Sequence, residues 1–258
     1  MNPISLVNGF YTNGITFDKL NTQTNFSTSS DAFLRRISPD GGTLLYSTLL
    51  GGSNNDAGLH LAVDPAGIAY VTGYTFSRIF PTNTLTQPKS SATNFTSHVF
   101  VTAVGPTDNL LYSSEFGSSG ADQGLGIALA AGNVYVTGFS GNTNFFATNA
   151  FTDFRAATTN SAGKKIKQKS PNDAFVAVLT PDLSAFVSTN SFMLGGSGDD
   201  QANGIVVHPT GNYVCIVGRT TSPNFPLTNS VGSLLHTNLG GVKNNKASDA
   251  FIGKILMP

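Results

Sequence analysis

Ser30-Asp31-Ala32-Phe33-Leu34 is the first of four versions of one short phrase, followed by Ser97-His98-Val99-Phe100-Val101, Asn172-Asp173-Ala174-Phe175-Val176 and Ser248-Asp249-Ala250-Phe251-Ile252. The four phenylalanines are 67, 75 and 76 residues apart, a spacing that fits propellers and arrays with long loops. The register extends outward from the phrase. After each of the first three comes a turn and a strand-like run, Leu44 to Leu50, Leu110 to Phe116 and Ala185 to Leu194. A glycine-rich link follows, with an aspartate at a fixed place: Gly51 to Asp56, Gly117 to Asp122, Gly195 to Asp200. Next are apolar stretches at Leu61-Ala62-Val63, Ile127-Ala128-Leu129 and Ile205-Val206-Val207. A tight turn then leads to a last strand, Ala69 to Gly73, Val134 to Gly138 and Tyr213 to Gly218. Each unit therefore reads as four short strands rich in Val, Ile, Tyr, Phe and Thr, bounded by Gly, Pro, Asn and Asp. The expected fold is all-β, a β-propeller of four-stranded antiparallel blades.

Composition agrees. Ser, Thr and Asn together make up roughly 30% of the chain, and such residues suit strands and turns better than helices. The 258 residues are 40% hydrophobic, enough for a real core. Fourteen Lys and Arg balance fourteen Asp and Glu, so no basic field draws nucleic acid. A single cysteine excludes a disulfide framework or a multi-cysteine zinc site. No run reaches the ~18 apolar residues of a membrane helix, and the N-terminus lacks a basic segment followed by an apolar one.

The chain resembles the bacterial SBBP, or seven-bladed β-propeller, repeat family. The resemblance is carried by Asp31-Ala32-Phe33, by Leu44-Leu45-Tyr46-Ser47-Thr48-Leu49-Leu50-Gly51-Gly52-Ser53, and by Ala62-Val63-Asp64 through Ala69-Tyr70-Val71-Thr72-Gly73-Tyr74. It implies a secreted or cell-surface bacterial protein. Departures are His98-Val99 for the Asp-Ala pair, Ala130 and His208 where Asp64 stands, and Arg219 where Tyr74 and Phe139 stand.

With the strand after the link innermost, as in other propellers, the blade order is a, b, c, d. The expected organisation is one repeat domain over 1–258: a partial blade 1–52, blades 53–117 and 118–196, and a partial blade 197–258. The chain opens with a b-like strand, Ile4 to Phe10, and the last blade lacks d, giving three and a half to four blades, incomplete or open. Further blades from a longer protein or from another copy would complete it. The last strand would otherwise be an unpaired edge that only Lys254 blunts.

In such a meander the short a–b and c–d turns lie on one face, and the b–c loops and d–a links on the other. The b–c loops run roughly 23 to 34 residues, far beyond ordinary connections, so their face is the candidate binding surface. Phe80, Phe146 and Phe225 recur in these loops, and Lys164, Lys165 and Lys167 form a charge run in the longest. The phenylalanines are aromatic contacts for a ligand such as a glycan, or plugs pinning each loop to its blade. The lysines touch an anionic polysaccharide or lipid head group, or form a solvated tip. Asp56, Asp122 and Asp200 are weak metal candidates: calcium wants six to eight oxygens, only Asp199 adds a neighbouring carboxylate, and an Asx-type turn is the favoured alternative.

No catalytic constellation is expected. His60, His98, His208 and His236 fall at different places in the repeat, His60 and His208 reading as polar residues at strand ends. No serine sits in a G-x-S-x-G elbow, and Cys215 reads as a small apolar residue within a strand. The sequence thus reads as a non-catalytic interaction scaffold without cofactor, binding a protein or glycan of the cell envelope or extracellular matrix. The alternatives are a carbohydrate-active lyase or hydrolase with its site at the propeller mouth, and a structural spacer of a larger surface protein.

Overall fold

A computed structural model describes residues 29–84, 96–107, 109–142, 145, 152–153, 172–222, 224–226 and 248–257. The expected strand at Ile4 to Phe10 lies outside them. The strands are β1 (Ala32–Ile37), β2 (Leu44–Leu50), β3 (Asp56–Val63), β4 (Ala69–Thr75), β5 (His98–Val104), β6 (Leu110–Phe116), β7 (Asp122–Ala130), β8 (Asn133–Ser140), β9 (Thr152–Asp153), β10 (Asp173–Leu179), β11 (Phe192–Leu194), β12 (Asp200–Val207), β13 (Tyr213–Thr220) and β14 (Asp249–Leu256). They form four sheets ordered β1-β2, β3-β4-β5-β6, β7-β8-β10-β11-β9 and β12-β13-β14. All pairings within these sheets are antiparallel except β9 with β11. This is a stack of antiparallel propeller blades, and the described strands close no barrel. Among the described residues there is no α-helix, and no helix is long and apolar enough to cross a membrane.

The short turns follow from local chemistry. Ser38-Pro39-Asp40-Gly41, Asp64-Pro65-Ala66-Gly67 and His208-Pro209-Thr210-Gly211 each place proline where φ is fixed and end on a glycine with φ of 72°, 84° and 77°. The amide of that glycine donates to the carbonyl of the turn's first residue. The third blade's c–d turn, Thr180-Pro181-Asp182-Leu183, has the same form with Leu183 at φ 56°. A leucine is strained there, but its side chain is fully buried in the core between the second and third sheets.

Each a strand carries a bulge, with Leu59, Leu125 or Asn203 as the extra residue. The bulge pushes a backbone carbonyl toward the b strand, and the residue met there is Gly73, Gly138 or Gly218. A Cβ on any of these would collide with the carbonyl oxygen of Ala57, Gln123 or Gln201. The same glycines pair with the repeat phenylalanines Phe100, Phe175 and Phe251.

Three cores lie between the four sheets. Ala32 and Leu34 of the first sheet pack on Ala69, Val71 and Phe100 of the second. Tyr70, Val99 and Val101 on the second sheet's other face meet Ile127, Val134, Val136 and Phe175 of the third. Tyr135, Ala174 and Val176 on the third sheet's far face meet Val214, Ile216 and Phe251 of the fourth. The a strands of the last three blades pack side by side, β7 between β3 and β12, which agrees with a as the innermost strand.

The a strands and one d strand differ from expectation. The a strands begin at the aspartates themselves, not several residues later, because the bulge breaks the alternation that would reveal their first turn of pairing. The third blade's d strand is only Phe192–Leu194, preceded by a single Leu179–Phe186 bridge and a 3₁₀ turn at Ser188–Asn190. The polar run Ser188-Thr189-Asn190-Ser191 interrupts the pattern there.

Candidate functional site: the loop-bearing face

All three a strands start, and all three b strands end, at the end of the stack from which the long loops leave. Asp56, Asp122 and Asp200 are buried there as the first residues of β3, β7 and β12. Asp56 Oδ2 accepts from the Gly52 amide at 2.7 Å and from Ser77 Oγ at 2.8 Å. Asp200 Oδ2 accepts from the Gly196 amide at 2.7 Å and from Ser222 Oγ at 2.7 Å. Asp122 accepts from the Ser118 amide at 2.5 Å and from Ser118 Oγ at 2.9 Å. In two blades one carboxylate therefore ties the d–a link to a serine at the root of the long loop, and Asp122 closes its own link while also being hydrogen-bonded by Ser140, the last residue of β8. This is the side chain to backbone pattern of an Asx-type turn. Among the described residues no three His, Cys, Asp or Glu side chains gather in a metal-holding group.

A second acidic group joins two of these knots. The aspartate of the c strand phrase stands beside the link glycine: a Cβ on Gly51 would lie 2.7 Å from Asp31 Cγ, and one on Gly195 would collide with Asp173 while lying 3.0 Å from Asp200 Oδ2. Burial, and then the charge of Asp56, raises Asp31 to about 6. Burial likewise raises Asp56 and Asp200, and it raises Asp122 to about 6. At the middle junction His98 stands where Asp31 and Asp173 stand. Its Nδ1 is 3.1 Å from Glu115 Oε1 and its Nε2 is 3.1 Å from the Ser118 carbonyl, with both side chains buried. Ser, His and Asp meet here without the order of a nucleophilic triad: Ser118 Oγ is bonded to Asp122, not to the imidazole, and the group is closed to solvent.

The loop phenylalanines face inward. Phe80 is buried and stacked on Phe100 with centroids 4.8 Å apart. Phe225 is half-buried against Phe251 at 4.6 Å. In the third blade the partner of Phe175, at 4.4 Å, is Phe145. The expected Phe146 lies outside the described residues, and the repeat register there is one residue earlier than the sequence suggested. Glycine, strand phenylalanine and loop phenylalanine thus form one layered plug per blade, with the rings occupied by the fold.

A role not read from the sequence belongs to Asn83. Its side chain accepts from the Ser113 amide at 2.7 Å and donates to the Leu111 carbonyl at 3.0 Å, while its own amide donates to Ser113 O at 3.0 Å. The loop therefore runs down the blade and covers the edge of β6, as β9 covers β11. The recurrence of Thr-Asn two to three residues after the loop phenylalanine was the available signal.

His60 lies exposed within β3 rather than at a strand end. His208 does sit at a strand end, bonded through Nδ1 to Thr210 Oγ1 at 2.8 Å and tilted against Tyr213. Cys215 is half-buried in β13. His236, Lys164, Lys165 and Lys167 lie outside the described residues.

No curated protein sequence matches the chain. One family model does, over β2 to β4 and on to the loop plug, the same stretch that holds a link, a bulge, a b strand glycine and Phe80. Residues 45–81 match the SBBP beta-propeller repeat, and the all-β fold of antiparallel blades around that stretch is that of an incomplete β-propeller.

Proposed function

We infer that the chain is a non-catalytic interaction module whose long b–c loops present the binding surface. The observation that carries this reading is the topology. The connections after β4, β8 and β13 all leave from one end of the stack, while the opposite end is closed by tight proline and glycine turns. Long loops rooted in a rigid scaffold are where binding residues concentrate. The family resemblance supports a secreted or cell-surface setting, and hence an envelope or matrix glycan or protein as ligand. The lysine run Lys164-Lys165-Ile166-Lys167 favours an anionic polysaccharide among these.

The test uses the purified chain on arrays of anionic and neutral glycans, beside a variant in which 154–170 is replaced by a short Gly-Ser linker. Binding to an anionic glycan that the variant loses supports the reading. Equal binding by both, binding to none, or cleavage of the glycan by the chain overturns it.

A further inference from the structure

Among the described residues, the first and fourth sheets each present one face that no other described strand covers. In the fourth sheet the side facing away from the third carries exposed apolar side chains, Ile252 at 73% and Val217 at 47% with Val206 and Leu256 beside them, and the two exposed cations Arg219 and Lys254. The residues at the register of Ile252 in the other blades, Leu34, Val101 and Val176, are 5% exposed or less. Those at the register of Val217, Thr72 and Thr137, are fully buried. The opposite end shows the converse. Phe33 is 64% exposed and Ile37 55%, with the exposed Arg35 between them, whereas Phe100, Phe175 and Phe251 at the register of Phe33 are at most 8% exposed, and Val104 and Leu179 at that of Ile37 are fully buried.

Within the chain the same pair of faces already meets three times. Each blade's far face, with its c strand Leu or Val, receives the next blade's near face, with its c strand Phe. On this pattern the fourth sheet's outer face receives a near face of the kind the first sheet presents, its apolar positions meeting as they do within the chain while Arg35, Arg219 and Lys254 lie at the contact's margins or find partners of their own. We propose that the fourth sheet's outer face (Val206, Val217, Ile252, Leu256) docks on the first sheet's outer face (Phe33, Ile37) of a second copy of this chain, head to tail, continuing the inter-blade interface across two molecules. Such a contact is heterologous, so it closes into a ring or continues as an open stack, and it does not pair like faces. The described sheets of two copies number eight, which falls within the roughly 4–8 blades of closed propellers. The inference stands independently of what the loop face binds.

Sedimentation velocity on the wild type, F33D, I252D and their equimolar mixture tests it at about 100 µM, where an interface of micromolar Kd is populated. Circular dichroism confirms that each variant is folded, and V217K replaces I252D if the latter is not. The expected result is self-association of the wild type, at least a tenfold loss in each variant, and a one-to-one complex when the two variants are mixed, since each retains the face the other lacks. A monomeric wild type overturns the proposal. So does a dimer broken by I252D and untouched by F33D, which would mean like faces meet, or a mixture that fails to recombine.

Discussion

Asp122 offers a measurable consequence of placing carboxylates under the loop roots. It is fully buried, and burial raises it from its ordinary 3.8 to about 6, with hydrogen bonds from Ser140 and Ser118 and the nearby His98 pulling the other way. Between about pH 4 and pH 6 the folded protein holds a proton that the unfolded chain has released. Folding then takes up a proton, and stability falls as pH rises. The contribution is fully present below the unfolded value and is lost once pH has passed the folded one. At ~1.4 kcal/mol per pH decade the group accounts for roughly 2–3 kcal/mol between pH 4 and pH 7. D122N removes the titration and keeps an oxygen that can accept from the Ser118 amide and hydroxyl. Urea unfolding of both proteins at pH 4, 5, 6 and 7 isolates the group together with its coupling to His98, because the titrations of groups remote from Asp122 cancel in the difference. The stability of wild type relative to D122N should decline by about 2 kcal/mol or more from pH 4 to pH 7, with the change centred near pH 5. Parallel profiles, or a wild type that gains on D122N as pH rises, would refute the burial argument.

Three further outcomes are expected. Gly138→Ala brings a Cβ to 2.9 Å from the Gln123 carbonyl carbon, and closer still to its oxygen, so it should cost about 2 kcal/mol or more in urea unfolding. Gly58→Ala meets only side chains at 3.4 Å and beyond, and should cost ~1 kcal/mol or less. Leu183→Gly relieves a left-handed leucine, worth about 1 kcal/mol, but opens a large cavity, so a net loss of roughly 2–4 kcal/mol is expected by thermal and urea unfolding; a stabilised variant would show that the strain outweighs the packing. Calcium at millimolar concentration should leave the thermal midpoint within about 1 °C, since Asp56, Asp122 and Asp200 are already held by protein donors. A rise of several degrees that D200N abolishes would assign a site.

The blade order was legible because Phe33, Phe100, Phe175 and Phe251 recur with their flanking turns and links, so every strand could be placed by comparison with its counterparts. The bulges were not, because Asp56-Ala57-Gly58-Leu59-His60 contains an unpaired residue and loses the period of two on which strand reading depends. The choice between Phe145 and Phe146 was equally closed to the sequence: two adjacent phenylalanines are equivalent as letters, and only packing on Phe175 distinguishes them. The aspartates could be read as metal ligands or turn anchors. Deciding required seeing that Ser77 and Ser222, more than twenty residues downstream, return to the carboxylates of Asp56 and Asp200.

The structure also constrains where recognition can reside under the proposed reading. The side chains that recur from blade to blade are the ones the fold consumes. The aspartate bonds the link, the glycine admits the bulge, the two phenylalanines plug the loop root, and Asn83 covers an edge strand. A residue bound in this way has little freedom to discriminate a ligand, and a change in it would be felt first as lost stability. Specificity must then come from loop segments that do not recur, of which the lysine-bearing stretch of the third blade is the most chemically distinct. The architecture makes such divergence tolerable. Each loop is pinned independently at its root by its own carboxylate and ring pair, so one blade's loop can change in length or charge without disturbing its neighbours' anchors. The middle junction shows how far this extends. There His98 and Glu115 replace the acidic arrangement of the flanking junctions, yet Asp122 still holds Ser118 and the link keeps its course. If loop replacement at 154–170 abolished ligand binding while leaving the unfolding free energy nearly unchanged, the two roles would be separable in the way this anchoring implies.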